Sequence, residues 1–250
     1  MQIIPHTEFT TAQYDLAYPD GIENHYWNRA RNSIIMSVLK GHGLAQKRML
    51  EIGCGRGLIV KDLRKNGYTC HGVDLAPLPV DATDEFTGYL YYGIDFNDLN
   101  PTFRESIEVL LLCDVIEHIP NTSEFLESVR NAFPSAQYVL ITVPARSELW
   151  SNYDKYYGHV VRYSLPLLSE SVEKIGYHTR YISYFFHLLY VPALFLSIIK
   201  KDRAIKVFSP RGIMRHIHTC LTWFFILEQK VIPRTLLGTS IIYLVERERL

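Results

Sequence analysis

The chain has 250 residues, of which 48% are hydrophobic and 21% are charged. This length and composition predict a folded globular protein with a sizeable core and exclude a disordered chain. The 26 basic and 26 acidic residues cancel, so bulk charge gives no indication of nucleic-acid binding. The four cysteines form no C-x-x-C pair, and no signal peptide is predicted. Both observations favour a cytoplasmic protein with reduced thiols.

The N-terminal region, residues 1–45, is predicted to supply a lid or cap helix. Residues 1–20 show no regular pattern and are expected to be irregular. From Gly21 to Lys40 the apolar residues recur at helical spacing, which predicts one helix with an apolar face. Tyr26 and Trp27 on this helix would supply aromatic walls above a ligand. The alternative left open is a helix that only covers one side of a sheet.

A glycine-rich turn follows the first predicted strand. The short apolar run ends in Glu51, and glycines then alternate with other residues at Gly53, Gly55 and Gly57. This pattern predicts a buried strand, a tight turn and the start of a helix. Glycines at such a turn let the backbone approach a ligand closely. A dinucleotide fingerprint, G-x-G-x-x-G, would need glycine at position 58, where the chain has Leu58.

Acidic residues end the next three predicted strands. Asp74 ends the second strand, at the position where a carboxylate can accept hydrogen bonds from both ribose hydroxyls. Asp95 ends the third strand, and Asp114 follows the continuously apolar run 109–113. Such a run is typical of a central parallel strand that is buried on both faces. Strands alternating with helices therefore predict a doubly wound sheet that binds its ligand at the carboxyl edge.

Two motifs resemble those of a known enzyme family. The order E-x-G-x-G-x-G resembles motif I of the class I S-adenosylmethionine (SAM) methyltransferases. The run D-x-x-E-H-x-P, from Asp114 to Pro120, resembles the post-strand motif of ubiquinone-type and related small-molecule methyltransferases. The resemblance covers about residues 20–184 and 239–247.

The resemblance implies an α/β fold within a single domain over residues 1–250. This fold is a Rossmann-like three-layer sandwich with a seven-stranded, mostly parallel sheet, and its core comprises residues 46–184 and 239–247. A hydrophobic, basic helical insertion at 185–238 would precede the last strand.

The resemblance also implies SAM as the cofactor, S-adenosylhomocysteine (SAH) as its product, and no metal. The glycines would lie under the methionine part, Asp74 would bind the ribose, and Asp95 with Phe96 would meet the adenine. Asp95 could equally cap a short helix. The implied cofactor-binding residues are Glu51, Gly53, Cys54, Gly55, Gly57, Asp74, Leu75, Asp95, Phe96, Asp114, Val115 and Ile116.

Residues 145–163 form a long loop that contains five aromatic residues and little helical period. Long loops in compact domains are usually functional or disordered, and the aromatics favour function. The pattern L-W-S-x-x-D-x-x-x-G-H-x-x-R-Y resembles the acceptor loop of bacterial methyltransferases of polysaccharide or secondary-metabolite pathways. His159 is the first candidate for the catalytic base and His118 the second, although either could be structural. Substrate-binding candidates are Tyr26, Trp27, Trp150, Tyr153, Arg162 and Tyr163.

The resulting hypothesis is methyl transfer from SAM to a small-molecule, saccharide or lipid-linked acceptor, with oxygen favoured. Two alternatives stay open at this point. One is a nucleotide-binding oxidoreductase of Rossmann type, against which the early third glycine argues. The other is a catalytically inactive SAM-binding partner protein.

The segment 184–234 is not explained by the common fold. Residues 200–234 contain eight Lys or Arg against two acidic residues, a net charge of +6. The apolar run 184–199 is shorter than the roughly 20 residues that span a bilayer. A helix predicted to begin at Ser209-Pro210 carries an apolar stripe from Ile213 to Val231. The segment could lie on the inner face of a membrane as a peripheral contact, cover the sheet, or pair two subunits in a homodimer.

Overall fold

The computed structural model of the protein describes residues 9–79 and 83–248. Its centre is a seven-stranded sheet in the order β3-β2-β1-β4-β5-β7-β6. The strands are β1 (Arg48–Ile52), β2 (Thr69–Asp74), β3 (Leu90–Tyr92), β4 (Val109–Cys113), β5 (Tyr138–Pro144), β6 (Tyr177–Phe185) and β7 (Ser240–Arg247). Strands β1 to β5 pair in parallel, whereas β7 runs antiparallel between β5 and β6. The predicted seven-stranded, mostly parallel sheet is confirmed.

Nine α-helices lie within the described residues. They are α1 (Thr11–Ala17), α2 (Tyr26–Gly41), α3 (Leu58–Lys65), α4 (Pro101–Glu105), α5 (Thr122–Ala132), α6 (Asn152–Tyr156), α7 (Leu165–Glu173), α8 (Tyr190–Ile198) and α9 (Met214–Val231). Short 3₁₀ helices occur at Ile22–Asn24, Thr87–Tyr89, Phe96–Asp98, Ile116–His118 and Ser147–Leu149. Helices α5 and α7 pack on one face of the sheet, and α2, α3 and α9 pack on the other. This arrangement gives the three layers of the sandwich.

Strand β4 shows how the sequence builds the two cores. All five of its residues are buried, as the continuous apolar run predicts. Leu110 and Leu112 belong to the core beneath α5 and α7, whereas Leu111 and Cys113 belong to the core beneath α2 and α3. The two-residue period of a strand therefore supplies both cores from one apolar run.

Most helix starts follow the sequence signals, and three differ. Helix α1 lies where the sequence predicted irregular chain, because a seven-residue helix is too short to show an apolar period. Helix α2 begins at Tyr26 rather than Gly21, since the ring of His25 accepts the N–H of Trp27 at 3.3 Å and caps it there. Helix α9 begins at Met214, not at Ser209-Pro210.

The chain between β6 and β7 carries α8 and α9. Helix α9 packs along α2, and α8 packs against the 3₁₀ helix Ser147–Leu149 of the long loop. Among the described residues, no helix combines the length and the apolar character that crossing a membrane requires.

Candidate functional site

The glycine-rich turn lies between β1 and α3, at the carboxyl edge of the sheet. Gly53, Gly55 and Gly57 adopt φ angles of 75°, 52° and 73°, in the left-handed region that side chains disfavour. A Cβ on Gly53 would lie 2.7 Å from Val115 Cγ2, and one on Gly57 would lie 2.7 Å from Leu90 Cδ2. Both the backbone conformation and the lack of space therefore require glycine here.

Asp74 ends β2 directly beside this turn. Its Oδ2 accepts the Gly55 N–H at 2.7 Å, and its Oδ1 accepts the Ala76 N–H at 2.9 Å. The hydroxyl of Tyr14 donates a third hydrogen bond to Oδ1 at 3.0 Å. The carboxylate is thus held in a fixed position, and α1 reaches the ligand edge of the sheet through Tyr14.

Helix α1 and the residues after it lie across the glycine turn. The hydroxyl oxygen of Tyr18 would be 2.6 Å from a Cβ on Gly55, and Arg56 pairs with Asp15 at 2.6 Å. For the following helix, α2, the sequence left open a lid over the ligand or a cover on one side of the sheet. Tyr26 stacks on Phe225, and Trp27 stacks on Phe186, both beside α9. An acceptor contact for Tyr26 or Trp27 stays a prediction.

Glu51 lies buried at the tip of β1, with 2% of its surface exposed. Its Oε2 has no hydrogen-bond partner among the described residues. Burial raises the pKa of Glu51 to about 8, although the nearby Arg31 guanidinium opposes this rise. Arg31 itself pairs with Asp114 at the tip of β4, at 2.7 Å. The edge of the sheet therefore holds a carboxyl group, that of Glu51, whose neutral form is favoured by burial. A cationic ligand bound nearby would favour its ionised form.

We expect Glu51 to make the ligand-free protein less stable as pH rises. Between its ordinary pKa of 4.5 and about 8, the folded protein retains a proton that the unfolded chain releases. The free energy of unfolding then falls with pH, by at most about 1.4 kcal/mol per pH unit from this group. Glu51→Gln should flatten this dependence in urea unfolding measured across that window. Identical slopes in both proteins would show that Glu51 is charged in the fold.

A second group of side chains centres on Asp154, in α6 of the long loop. Its carboxylate is fully buried and accepts hydrogen bonds from the Arg162 Nε at 2.7 Å and from the Ser151 N–H at 2.8 Å. The ring Nδ1 of His159 lies 2.9 Å from the same carboxylate. Burial alone would raise the pKa of Asp154, but the bonds from His159 and Arg162 outweigh it and hold the pKa at about 2.

This arrangement fixes the tautomer of His159. Because Asp154 is ionised at neutral pH, Nδ1 of His159 carries the proton that it donates to the carboxylate. Nε2 is then the ring nitrogen that can accept a proton or a metal ion. The ring of His118 meets His159 edge to face, with 4.8 Å between centroids. Burial lowers the pKa of His118 to about 4, so this imidazole is neutral at pH 7.

Glu117, His118 and His159 together could hold a metal ion. One ligand atom from each lies within 4.8 Å of the others. Glu117 is buried, and its Oε2 has no hydrogen-bond partner among the residues that the structure describes. Two imidazoles and a carboxylate suit divalent transition metals, and Asp154 bonded to His159 is a typical outer-shell partner. The sequence predicted no metal, yet the donor set fits one.

The remaining predicted cofactor residues differ in their burial and in their contacts. Asp95 accepts the Asn97 N–H at 2.8 Å, which confirms its capping role, and its place at the adenine stays a prediction. Phe96 is buried in the core between Phe125 and Phe133. Of the other predicted cofactor residues, Cys54 and Ile116 are buried, whereas Leu75 and Val115 are half-buried.

Of the predicted substrate residues in the long loop, two are buried and two are half-buried. Arg162 is buried and donates to Asp154 and to the Ala145 carbonyl, so its contacts are internal. Tyr163 is buried too, and its hydroxyl lies 3.3 Å from the Ile116 carbonyl. Trp150 and Tyr153 are half-buried, and an acceptor contact for them stays a prediction.

A family comparison agrees with this geometry. A family model described as a methyltransferase domain matches residues 26–181, which is more than half of the chain. The chain belongs to the class I SAM-dependent methyltransferases. Members of this family use SAM as the methyl donor, and the predicted family, enzyme class and cofactor are confirmed.

Curated relatives of the methyltransferase match part of their length. It is 30% identical over 95 residues to the ubiquinone biosynthesis O-methyltransferase of Nitrosococcus oceani, covering 36% of this chain and 40% of the relative. It is 28% identical over 107 residues to the enzyme of the same name from Pseudomonas savastanoi, covering 40% and 46%. The alignment thus spans less than half of either relative.

Solved structures share the fold over most of the chain. The plantazolicin methyltransferase BamL, in complex with a substrate analogue and SAH, superimposes with a TM-score of 0.56 at 9% identity, covering 96% of this chain and 90% of BamL. The magnesium protoporphyrin IX methyltransferase ChlM of Synechocystis PCC 6803 gives 0.53 at 10% identity, covering 98% and 90%. At these identities the likeness shows the fold alone.

Five residues of the candidate site were not predicted as site residues from the sequence: Tyr14, Tyr18, Arg31, Glu117 and Asp154. The two carboxyl groups lie within quoted motifs, D-x-x-E-H and D-x-x-x-G-H-x-x-R, whose acidic positions could have identified them. The other three belong to N-terminal elements whose approach to the strand tips depends on tertiary packing.

Proposed function

We propose that this methyltransferase transfers the methyl group of SAM to an oxygen of a small-molecule acceptor, a class that includes saccharide and lipid-linked hydroxyl compounds. The observation that carries the proposal is the oriented pair His159–Asp154, with His159 against His118, four residues after Asp114 at the tip of β4. Two partly aligned relatives named O-methyltransferases support the choice of oxygen. A hydroxyl acceptor must lose a proton during transfer, and an oriented imidazole can take it.

In this proposal the cofactor lies along the carboxyl edge of the sheet. Gly53, Gly55 and Gly57, with Glu51 and Asp114 nearby, would hold the methionine part. Asp74 would bind the ribose hydroxyls, and Asp95 would contact the adenine. Leu75, Val115 and Ile116 border the ligand. Its cationic groups would favour the charged form of Glu51, which offsets the cost of burying that carboxylate.

The acceptor side supplies orientation and a proton acceptor. The sulfonium of SAM is already a strong electrophile, so the protein mainly aligns the hydroxyl oxygen, the methyl carbon and the sulfur. His159 Nε2 takes the hydroxyl proton, and Asp154 stabilises the imidazolium that forms. Arg162 and Ser151 act as positioning residues, because they hold Asp154 rather than the acceptor.

A divalent cation is a second way in which the same residues could activate the hydroxyl. Glu117, His118 and His159 would hold the ion, which would supply Lewis acidity and lower the pKa of a bound hydroxyl. Nε2 of His159 would then serve as a ligand and not as a base. Binding of the ion would also remove the proton that burial favours on Glu117.

Family membership argues against one of the two alternatives that the sequence left open, and the geometry of the long loop argues against the other. An oxidoreductase would require a nicotinamide or flavin cofactor, whereas this family uses SAM. An inactive partner protein would not need the oriented pair of His159 and Asp154.

Mass spectrometry with SAM labelled at the methyl group tests the proposed reaction. We expect a hydroxyl acceptor from a panel of phenols, saccharides and lipid-linked alcohols to gain one labelled methyl group. Matched amine and carbon-acid compounds serve as controls for the atom that is methylated. Labelling only of nitrogen or carbon, in a protein shown to bind SAM, would contradict the proposal.

A further inference from the structure

The insertion between β6 and β7 exposes an unusual amount of apolar surface. Seventeen large hydrophobic side chains of the described residues are more than a third exposed, and all but Val160 and Leu167 lie within 188–237. We name these fifteen side chains the insertion surface. Phe195 on α8 is 62% exposed and Trp223 on α9 is 66% exposed. Single exposed apolar side chains are common on soluble proteins, whereas a concentration of them in one segment indicates a binding partner.

Helix α9 has its polar side turned inward. His218 Nδ1 accepts the Tyr26 N–H at 3.1 Å, and Thr219 accepts a hydrogen bond from Arg29 at 2.8 Å. Further along the helix, Glu228 accepts the Leu188 N–H at 3.0 Å. These bonds attach the polar face of α9 to α2 and to the chain after β6.

The apolar stripe predicted for this helix consequently faces outward. Ile213 is 76% exposed and Val231 is 73% exposed, at opposite ends of the stripe. Phe225 of α9 is buried in the core, and Leu221 of the stripe is half-buried against it. The alternative in which the segment covers the sheet therefore accounts for the polar face of α9 and not for its stripe.

The charges around the insertion surface select its partner. Seven Lys and Arg residues of 188–237 are exposed, including Lys200, Lys201 and Arg215. Asp202 is the one exposed acidic residue in the same range, because Glu228 is buried. A symmetric dimer through this surface would bring the two basic sets together, which is repulsive. Anionic lipid headgroups complement these charges, and acyl chains accept the apolar side chains.

We propose that the insertion surface binds the face of an anionic lipid membrane. Helices α8 and α9 lie in the interface with their apolar side chains inserted, while the surrounding Lys and Arg side chains contact headgroups. The contact is peripheral, because α8 has only 9 residues and the polar face of α9 is bonded to the protein.

This membrane contact is connected to the acceptor side of the site. Tyr190 of α8 donates to Glu148 at 2.9 Å, and Ser197 donates to the Glu148 carbonyl at 2.8 Å. Asn152, in the same loop as His159, exchanges hydrogen bonds with the backbone of Arg203. The loop that would receive the acceptor is thus attached to the membrane-binding segment. Membrane binding would restrict the proposed acceptor to lipid-soluble compounds. This restriction rests on the proposed function, whereas the lipid contact itself does not.

Vesicle flotation tests the contact with the full chain. Phosphatidylcholine vesicles that contain phosphatidylglycerol should carry the protein, vesicles of phosphatidylcholine alone should carry much less, and salt should weaken binding. The variant Lys200→Glu, Lys201→Glu, Arg215→Glu should bind at least about 100-fold more weakly, at roughly fivefold for each basic residue removed. The matched control is Lys40→Glu, Lys65→Glu, Lys174→Glu, because these lysines are exposed outside 188–237. It should bind within about threefold of wild type.

A second pair of variants separates apolar insertion from charge. Phe195→Ser with Trp223→Ser should weaken vesicle binding, while Leu167→Ser, at a side chain that is 42% exposed on α7, should not. Circular dichroism and SAM titration confirm that each variant is folded.

The proposal is overturned if wild type does not float with phosphatidylglycerol, or if both charge variants lose binding equally. It is also overturned if the protein sediments as a dimer and the variant Phe195→Ser with Trp223→Ser abolishes that dimer without weakening vesicle binding. Because flotation needs no acceptor, failure of lipid binding and failure of methyl transfer are distinguishable.

Discussion

Asp74→Ala is expected to weaken SAM binding by about 100-fold or more. In the proposed complex this carboxylate accepts hydrogen bonds from both ribose hydroxyls, each worth about 1.5–3 kcal/mol because the acceptor is charged. The substitution also removes the acceptor of the Gly55 N–H, which fixes the glycine turn against β2. Isothermal titration of SAM into the purified variant measures the effect.

Two variants define the cause of that loss. Asp74→Asn keeps an acceptor for the Gly55 N–H and removes the charge, so we expect an intermediate affinity. Tyr14→Phe removes the hydroxyl bonded to Asp74 and leaves the carboxylate in place, so its effect should be much smaller. Wild-type affinity in Asp74→Ala would show that the ribose binds elsewhere.

His159→Ala is expected to lower turnover by about 100-fold or more while SAM affinity changes little. The imidazole would face the acceptor and not the cofactor, and its loss removes the proton acceptor. Asp154→Asn should also reduce turnover, because the amide no longer fixes the tautomer of His159. Single-turnover rates at saturating SAM measure both effects. A His159→Ala protein with normal turnover and a reduced unfolding temperature would indicate a purely structural histidine.

Metal titration distinguishes a base from a metal ligand at His159. If His159 acts as the base, treatment with EDTA should leave turnover unchanged. If the three donors hold a cation, calorimetry should show Mn²⁺ binding to the chelated protein. Glu117→Gln and His118→Ala should then both weaken it. The readout of Mn²⁺ binding is independent of turnover, so it identifies the site even before an acceptor is known.

The sequence predicted the arrangement of the strand tips because that arrangement depends on local chemistry, and the assignment of these residues to the cofactor stays a prediction. A strand, a glycine turn and a helix start are encoded by adjacent residues, and parallel strands bring their carboxyl ends to one edge. Gly53, Asp74 and Asp114 therefore lie where the chain order predicts. The predicted lid stays a prediction, and the sequence did not show the approach of Tyr14 to Asp74 because that contact depends on the packing of a short helix.

For the acceptor half of the candidate site, the sequence predicted which residue types take part but not which of them contact each other. His118 and His159 are separated by 41 positions, and their contact depends on the path of the long loop. The sequence also assigned Arg162 to substrate, whereas its guanidinium is buried on Asp154. The helical period of the apolar residues predicted the stripe of α9. The period does not specify whether that stripe packs against the sheet or faces away from it.

The position of β7 in the sheet constrains how the chain assembles. This strand pairs with β5 through seven positions and with β6 through eight. It therefore links β6 to the rest of the sheet, because β5 and β6 do not pair with each other. It follows β6 only after residues 186–239, and loop closure of that length must precede its pairing. The edge of β5 stays open and β6 stays unpaired until β7 inserts, so we expect this insertion to be a late event in folding. During that interval the exposed apolar helices and an unpaired strand edge would coexist, and we expect the chain to be most prone to aggregation then.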